Sequence, residues 1–75
     1  MTLRDLFAET FGVPLEGITE DTSPRTLRKW DSLVHLQLIT AIEQHYRVRF
    51  SVSEMAAIRS FRAAEDILRR KGLAP

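Results

Sequence analysis

The stretch Trp30-Asp31-Ser32-Leu33-Val34-His35-Leu36-Gln37-Leu38-Ile39-Thr40-Ala41-Ile42-Glu43-Gln44-His45-Tyr46 decides the fold. Val34, Leu38, Ala41 and Ile42 recur at helical spacing and make an inward stripe, with Ile39 and Tyr46 on its shoulder. Asp31 stands where an N-cap belongs, its carboxylate able to accept from the first free amides of a helix. The pattern predicts a helix from about Ser32 to Tyr46, with Glu43 and Arg47 spaced to pair at its end.

Working outward, Val48 and Phe50 follow in an extended segment. Ser53-Glu54-Met55-Ala56-Ala57-Ile58 makes one or two turns of a short helix. Ser60 caps a last helix with Phe61, Ala64, Ile67 and Leu68 inward and Arg69, Arg70 and Lys71 in its final turn; Gly72 ends it. Towards the N-terminus, Leu3, Leu6, Phe7, Thr10 and Phe11 recur at helical spacing behind Thr2 as N-cap, and Gly12 with Pro14 stops that helix. Residues 12 to 30 lack periodicity. A loop of that length is unusual in so small a domain. Val13, Leu15, Ile18 and Leu27 punctuate it, so it is expected to lie across the bundle and help fill the core. No strand-length alternation competes. The expected fold is all-α: three main helices, one short helix and a long first loop.

Size and composition agree. Seventy-five residues make one domain with a thin core, since a chain this short buries only roughly 60% of the surface its unfolded form exposes. There is no cysteine, which removes disulfides, thiolate zinc sites and thiol nucleophiles together. Eleven basic and ten acidic residues nearly cancel, so overall charge names no partner. Met1-Thr2-Leu3-Arg4-Asp5 is charged where a signal peptide needs an apolar run, and no apolar stretch approaches the ~20 residues that span a bilayer. The expectation is a cytoplasmic monomer without a membrane or a nucleic acid as partner.

Ser32 carries the chemistry. A serine at the mouth of a helix lies beside unpaired amide donors, and a phosphate on its oxygen would sit in the positive end of the helix dipole. Taken alone, Asp31 and Ser32 read as ordinary capping residues. Leu33 and Leu36, however, project from the side opposite the inward stripe, together with Gln37, Thr40 and Gln44. Two outward leucines beside an exposed serine suit a groove for an apolar chain or a docking face, although scattered surface leucine is also normal.

The run from Trp30 to Leu38 resembles the Asp-Ser-Leu attachment motif and following helix of the acyl carrier proteins. Ala41-Ile42-Glu43-Gln44-His45-Tyr46-Arg47-Val48-Arg49-Phe50 is similar to that family's helix end, and Ile58, Ser60, Phe61 and Ala64 fall where its last helix starts. The resemblance covers essentially the whole chain. It implies a 4'-phosphopantetheine arm on Ser32, supplied from coenzyme A by a phosphopantetheinyl transferase, with magnesium needed only in the transferase complex. It implies that Asp31 assists attachment and that Leu33, Leu36, Gln37 and Thr40 form the partner or acyl-chain surface. The arm's thiol would carry an acyl group between acyl-activating or acyl-transferring enzymes, and the chain itself would not be an enzyme. The sequence departs from the family's strongly acidic second helix, offering only Glu43 there, and it places Arg25, Arg28 and Lys29 in the preceding loop. That departure points to a specialised lipid, polyketide or other secondary-metabolite pathway.

Other readings stay open at this level. A peptidyl or aminoacyl carrier shares the motif, and an unmodified interaction module shares the fold. Arg59, Arg62, Arg69, Arg70 and Lys71 give the last helix a basic edge that a nucleic-acid-binding module would use, although Glu65 and Asp66 interrupt it. Glu65 with Arg69 and Asp66 with Arg70 are spaced as ordinary surface pairs. His35 and His45 flank the inward stripe and read as packed or half-exposed side chains, without partners for a metal site or a hydrolytic triad. Trp30 reads as a lid on the junction of loop and helix.

Overall fold

The computed structural model describes residues 1–75 and contains four α-helices and no strand. Helix α1 is Leu3–Phe11, α2 is Ser32–Tyr46, α3 is Val52–Ala57 and α4 is Phe61–Arg70, with a single 3-10 turn at Leu15–Gly17. Helix α1 is the hub, touching α2, the 3-10 turn and α4.

Local chemistry sets each boundary. Thr2 and Asp5 form a reciprocal capping box at α1, and Gly12 closes it in the left-handed conformation at φ 65°. Asp31 caps α2 by accepting the Val34 N–H at 2.9 Å. Ser60 caps α4 through the Ala63 N–H. Helix α3 starts earlier than its sequence pattern suggests. Ser51 is the cap: its hydroxyl accepts the Glu54 N–H while the Glu54 carboxylate accepts the Ser51 N–H. Val52, inside the helix, is left exposed.

The core is one cluster drawn from every part of the chain. Phe7, Phe11, Trp30 and Phe61 meet at its centre, with Phe7 5.0 Å from Phe61 and Phe11 5.1 Å from Trp30 between ring centroids. From α2 the buried residues are Leu38, Ile39 and Ile42. Ile39 is therefore core and not shoulder, whereas Val34 and Ala41 are half-buried. The stripe has turned so that its midline runs through Leu38, Ile39 and Ile42.

The long loop is a packed part of the bundle. Ile18 is fully buried; Val13 and Leu27 pack partly against the core. Leu15 is the exception and lies exposed in the 3-10 turn. Thr22, buried although polar, has its hydroxyl bonded to the Thr19 N–H at 2.8 Å, and its carbonyl accepts the Phe61 N–H at 2.9 Å. Arg4 Nε donates to the Ile18 carbonyl at 3.0 Å. The radius of gyration, 11.1 Å, matches the ~11 Å of a fully folded chain of this length, so the loop lies inside the fold.

Two expected ion pairs are absent. The Glu43 carboxylate turns inward to accept the Phe50 N–H at 2.9 Å, and Arg47 takes the left-handed turn that ends α2 at φ 55°. Arg69 pairs with both Glu65 and Asp66, which leaves Arg70 without an acid. Lys71 reaches Glu54 at 3.0 Å and the Arg49 carbonyl at 3.1 Å, tying the end of α4 to the start of α3.

Candidate functional site

Ser32 is the first residue of α2, and its side chain is exposed. Because Asp31 Oδ1 takes the Val34 N–H and the Asp31 carbonyl takes the His35 N–H, the amides of Ser32 and Leu33 have no partner in the protein. An oxygen substituent on Ser32 therefore finds two free donors and the positive end of a fifteen-residue helix within its first turn. Asp31 itself is exposed, and its carboxylate is held in the cap.

Beside Ser32 opens a cleft of about 410 Å³ lined by Trp30, Asp31, Ser32, His35, Leu36 and Arg59. Its back wall is fixed by a hydrogen-bond chain. Trp30 Nε1–H donates to His35 Nδ1 at 2.9 Å, which makes Nδ1 the acceptor and puts the imidazole proton on Nε2; that nitrogen donates to the Met55 carbonyl at 2.8 Å. The two rings also stack, 6.0 Å apart and 21° from parallel. Trp30 is thus more than a lid: it is a buried anchor that joins loop, α2 and α3. His45, by contrast, is exposed and reaches the Met1 carbonyl.

Leu33 and Leu36 are 65% and 58% exposed, so no intramolecular partner covers them. With Gln37, Thr40, Ala41 and Gln44 they line a shallow depression of about 360 Å³ along α2. Leu36 belongs to both the cleft and the depression, so the two form one continuous surface leading away from Ser32. The structure brings together all six residues singled out in the sequence: Asp31, Ser32, Leu33, Leu36, Gln37 and Thr40. Sequence reasoning missed Arg59 and the His35 bridge. Trp30 and His35 are five residues apart, a spacing that marks no helical pair, and Arg59 reaches the cleft only through the path of α3.

No group of three or more histidine, cysteine, aspartate or glutamate side chains lies together. No helix is long and apolar enough to cross a membrane. The basic edge of α4 is largely spent: Arg62 pairs with Glu20 at 2.8 Å, Arg69 with Glu65 and Asp66, and Lys71 with Glu54.

A helical bundle that holds a serine hydroxyl out at a helix N-terminus, beside an uncovered apolar strip, has the geometry that a carrier-type domain needs. The family model described as "phosphopantetheine attachment site" matches residues 2–68, and the chain belongs to that family. It is similar to the solution structure of a holo acyl carrier protein from Geobacter metallireducens, at 29% identity and a TM-score of 0.81, over 92% of this chain and 79% of that one. No curated protein matches it as a relative. Its fold is that of the acyl carrier proteins, and it is a carrier rather than an enzyme.

Proposed function

We propose that Ser32 is the attachment residue for a 4'-phosphopantetheine arm and that residues 1–75 form a single carrier domain for acyl intermediates. The exposed Ser32 hydroxyl beside the two unpaired amides of α2 carries this reading. A phosphopantetheinyl transferase supplies the arm from coenzyme A: Ser32 Oγ forms a new bond to phosphorus, its proton is lost, and the adenosine bisphosphate part of coenzyme A departs. Magnesium belongs to the transferase complex, and Asp31 assists there while its cap keeps the first turn rigid. When bound, the arm supplies a thiol that holds the acyl group as a thioester, which a cysteine-free chain lacks. Tethering raises the cargo's effective concentration at each partner. The protein's own residues present and orient the arm: α2 aims Ser32, and Leu33, Leu36, Gln37 and Thr40 offer the docking face. We place the carrier as a monomer in the cytoplasm, where its donor coenzyme A is made.

The partner enzymes belong to a specialised lipid, polyketide or other secondary-metabolite pathway. Glu43 is committed to the Phe50 amide, so the outer face of α2 offers no free carboxylate. Arg25, Arg28, Lys29 and Arg59, all exposed, make no ion pair. Such a surface favours acidic docking sites and disfavours basic ones. Tight docking to general fatty-acid synthase enzymes would contradict this assignment.

Incubation with coenzyme A, magnesium and a broad-specificity transferase is expected to add one phosphopantetheine by intact mass. Ser32→Ala is expected to abolish the addition while shifting stability by no more than about 0.5 kcal/mol, because the side chain is exposed and is not the cap. Absence of modification in the parent protein, or its persistence in the variant, removes Ser32 from the role.

A further inference from the structure

Two charged side chains line the cleft beside Ser32, Asp31 and Arg59. The Asp31 carboxylate is engaged by the Val34 amide, and His35 is the neutral Nε2–H tautomer, fixed by Trp30 and Met55. Arg59 makes no ion pair, unlike Arg62, Arg69 and Lys71 farther along the chain. Its backbone is nevertheless well placed. Ile58 before it is fully buried, Ser60 after it is the cap of α4, and its own amide donates to the Ala57 carbonyl at 2.9 Å. Arg59 thus lines the cleft from a fixed backbone position, and its side chain makes no hydrogen bond or ion pair within the protein.

From this geometry we infer that Arg59 binds the phosphodiester that joins the arm to Ser32, an assignment that rests on Ser32 as the attachment residue. Modification adds a negative charge beside Asp31, and two like charges at one helix entrance repel. Arg59 is the cation on the cleft wall, and its planar fork suits two phosphate oxygens better than an ammonium does. The base of the arm is held against the cleft of Trp30, His35 and Leu36 instead of swinging freely about the serine. A cation lining the same cleft offsets the second negative charge beside the acidic cap.

The test compares apo and holo forms prepared with coenzyme A, magnesium and a broad-specificity transferase. Intact mass is read first, since failure to modify the parent protein would overturn Ser32 as the attachment residue, independently of Arg59. On modified protein, the parent is expected to gain roughly 2–4 °C in Tm over its apo form at low salt, a gain that shrinks in added NaCl. Arg59→Gln should leave the apo Tm unchanged but erase the gain and move the phosphorus NMR resonance of the holo form. Arg59→Lys should keep part of the gain. Arg28→Gln, which removes an exposed loop cation that does not line the cleft, should keep all of it. If the parent shows no gain, or Arg59→Gln retains the gain and the parent resonance, Arg59 does not bind the phosphodiester.

Discussion

His35 shows how much one side chain decides here. Its ring accepts from the buried Trp30 indole and donates to the Met55 carbonyl, so one imidazole closes the back of the cleft. His35→Ala leaves a buried indole N–H without an acceptor, which costs about 1–3 kcal/mol. Trp30 is the only tryptophan, so its emission reports the change directly. We expect the variant to unfold at lower urea and its native emission to shift to the red. Unchanged stability and emission would show that the bridge does not hold the ring. The sequence places His35 near the inward stripe, but hydrogen-bond partners drawn from a loop and another helix are not written in spacing.

At the scale of elements, the short α3 depends on electrostatic ties at its cap and to the end of α4. Six residues do not hold a helix by themselves. Here the Ser51–Glu54 box closes one end, and Lys71, the C-cap of α4, ties it down. The Glu54 carboxyl is held below its usual pKa range, chiefly by the Ser51 amide and then by Lys71. Asp5 is lowered in the same way at α1, first by the Thr2 amide and then by its hydroxyl. A carboxylate with a lowered folded pKa contributes stability above its unfolded pKa and loses it as pH falls through the folded value. Tm should therefore fall as the solution is acidified below about pH 4.5. Glu54→Gln should lower Tm at neutral pH and converge with the parent in acid. Parallel Tm curves for the two proteins at all pH values would show that Glu54 is not a source of the acid dependence. The sequence reading begins this helix at Ser53, one residue after the observed start at Val52, because it does not use the Ser51–Glu54 box that sets the boundary.

At the scale of the whole molecule, stability depends on a small aromatic centre. A chain of this length has about 4–11 kcal/mol in total at typical values per residue. Phe7 is fully buried and meets Phe11, Trp30 and Phe61. Phe7→Ala removes about 3–5 kcal/mol, a large share of that total, and should move the urea midpoint well below the parent's. Retention of most of the parent's stability would place the centre of the core elsewhere. Because loop residues share this core, the same variant should also loosen residues 18–30, read by faster amide exchange there.

The helices, their caps at Thr2, Asp31 and Ser60, and the exposure of Ser32 with Leu33 and Leu36 were determined by the sequence itself. Periodicity and capping are local properties, settled by neighbours three or four residues away. Only the tertiary structure decided that Ile39 is core and Leu15 is not, that Thr22 pins the loop to α4, that Glu43 turns inward, and that Arg59 stands at the cleft of Ser32. Each of those depends on how far a helix turns about its axis, or on where a distant segment crosses it. Those quantities come from filling one shared core, not from the order of residues along any one helix.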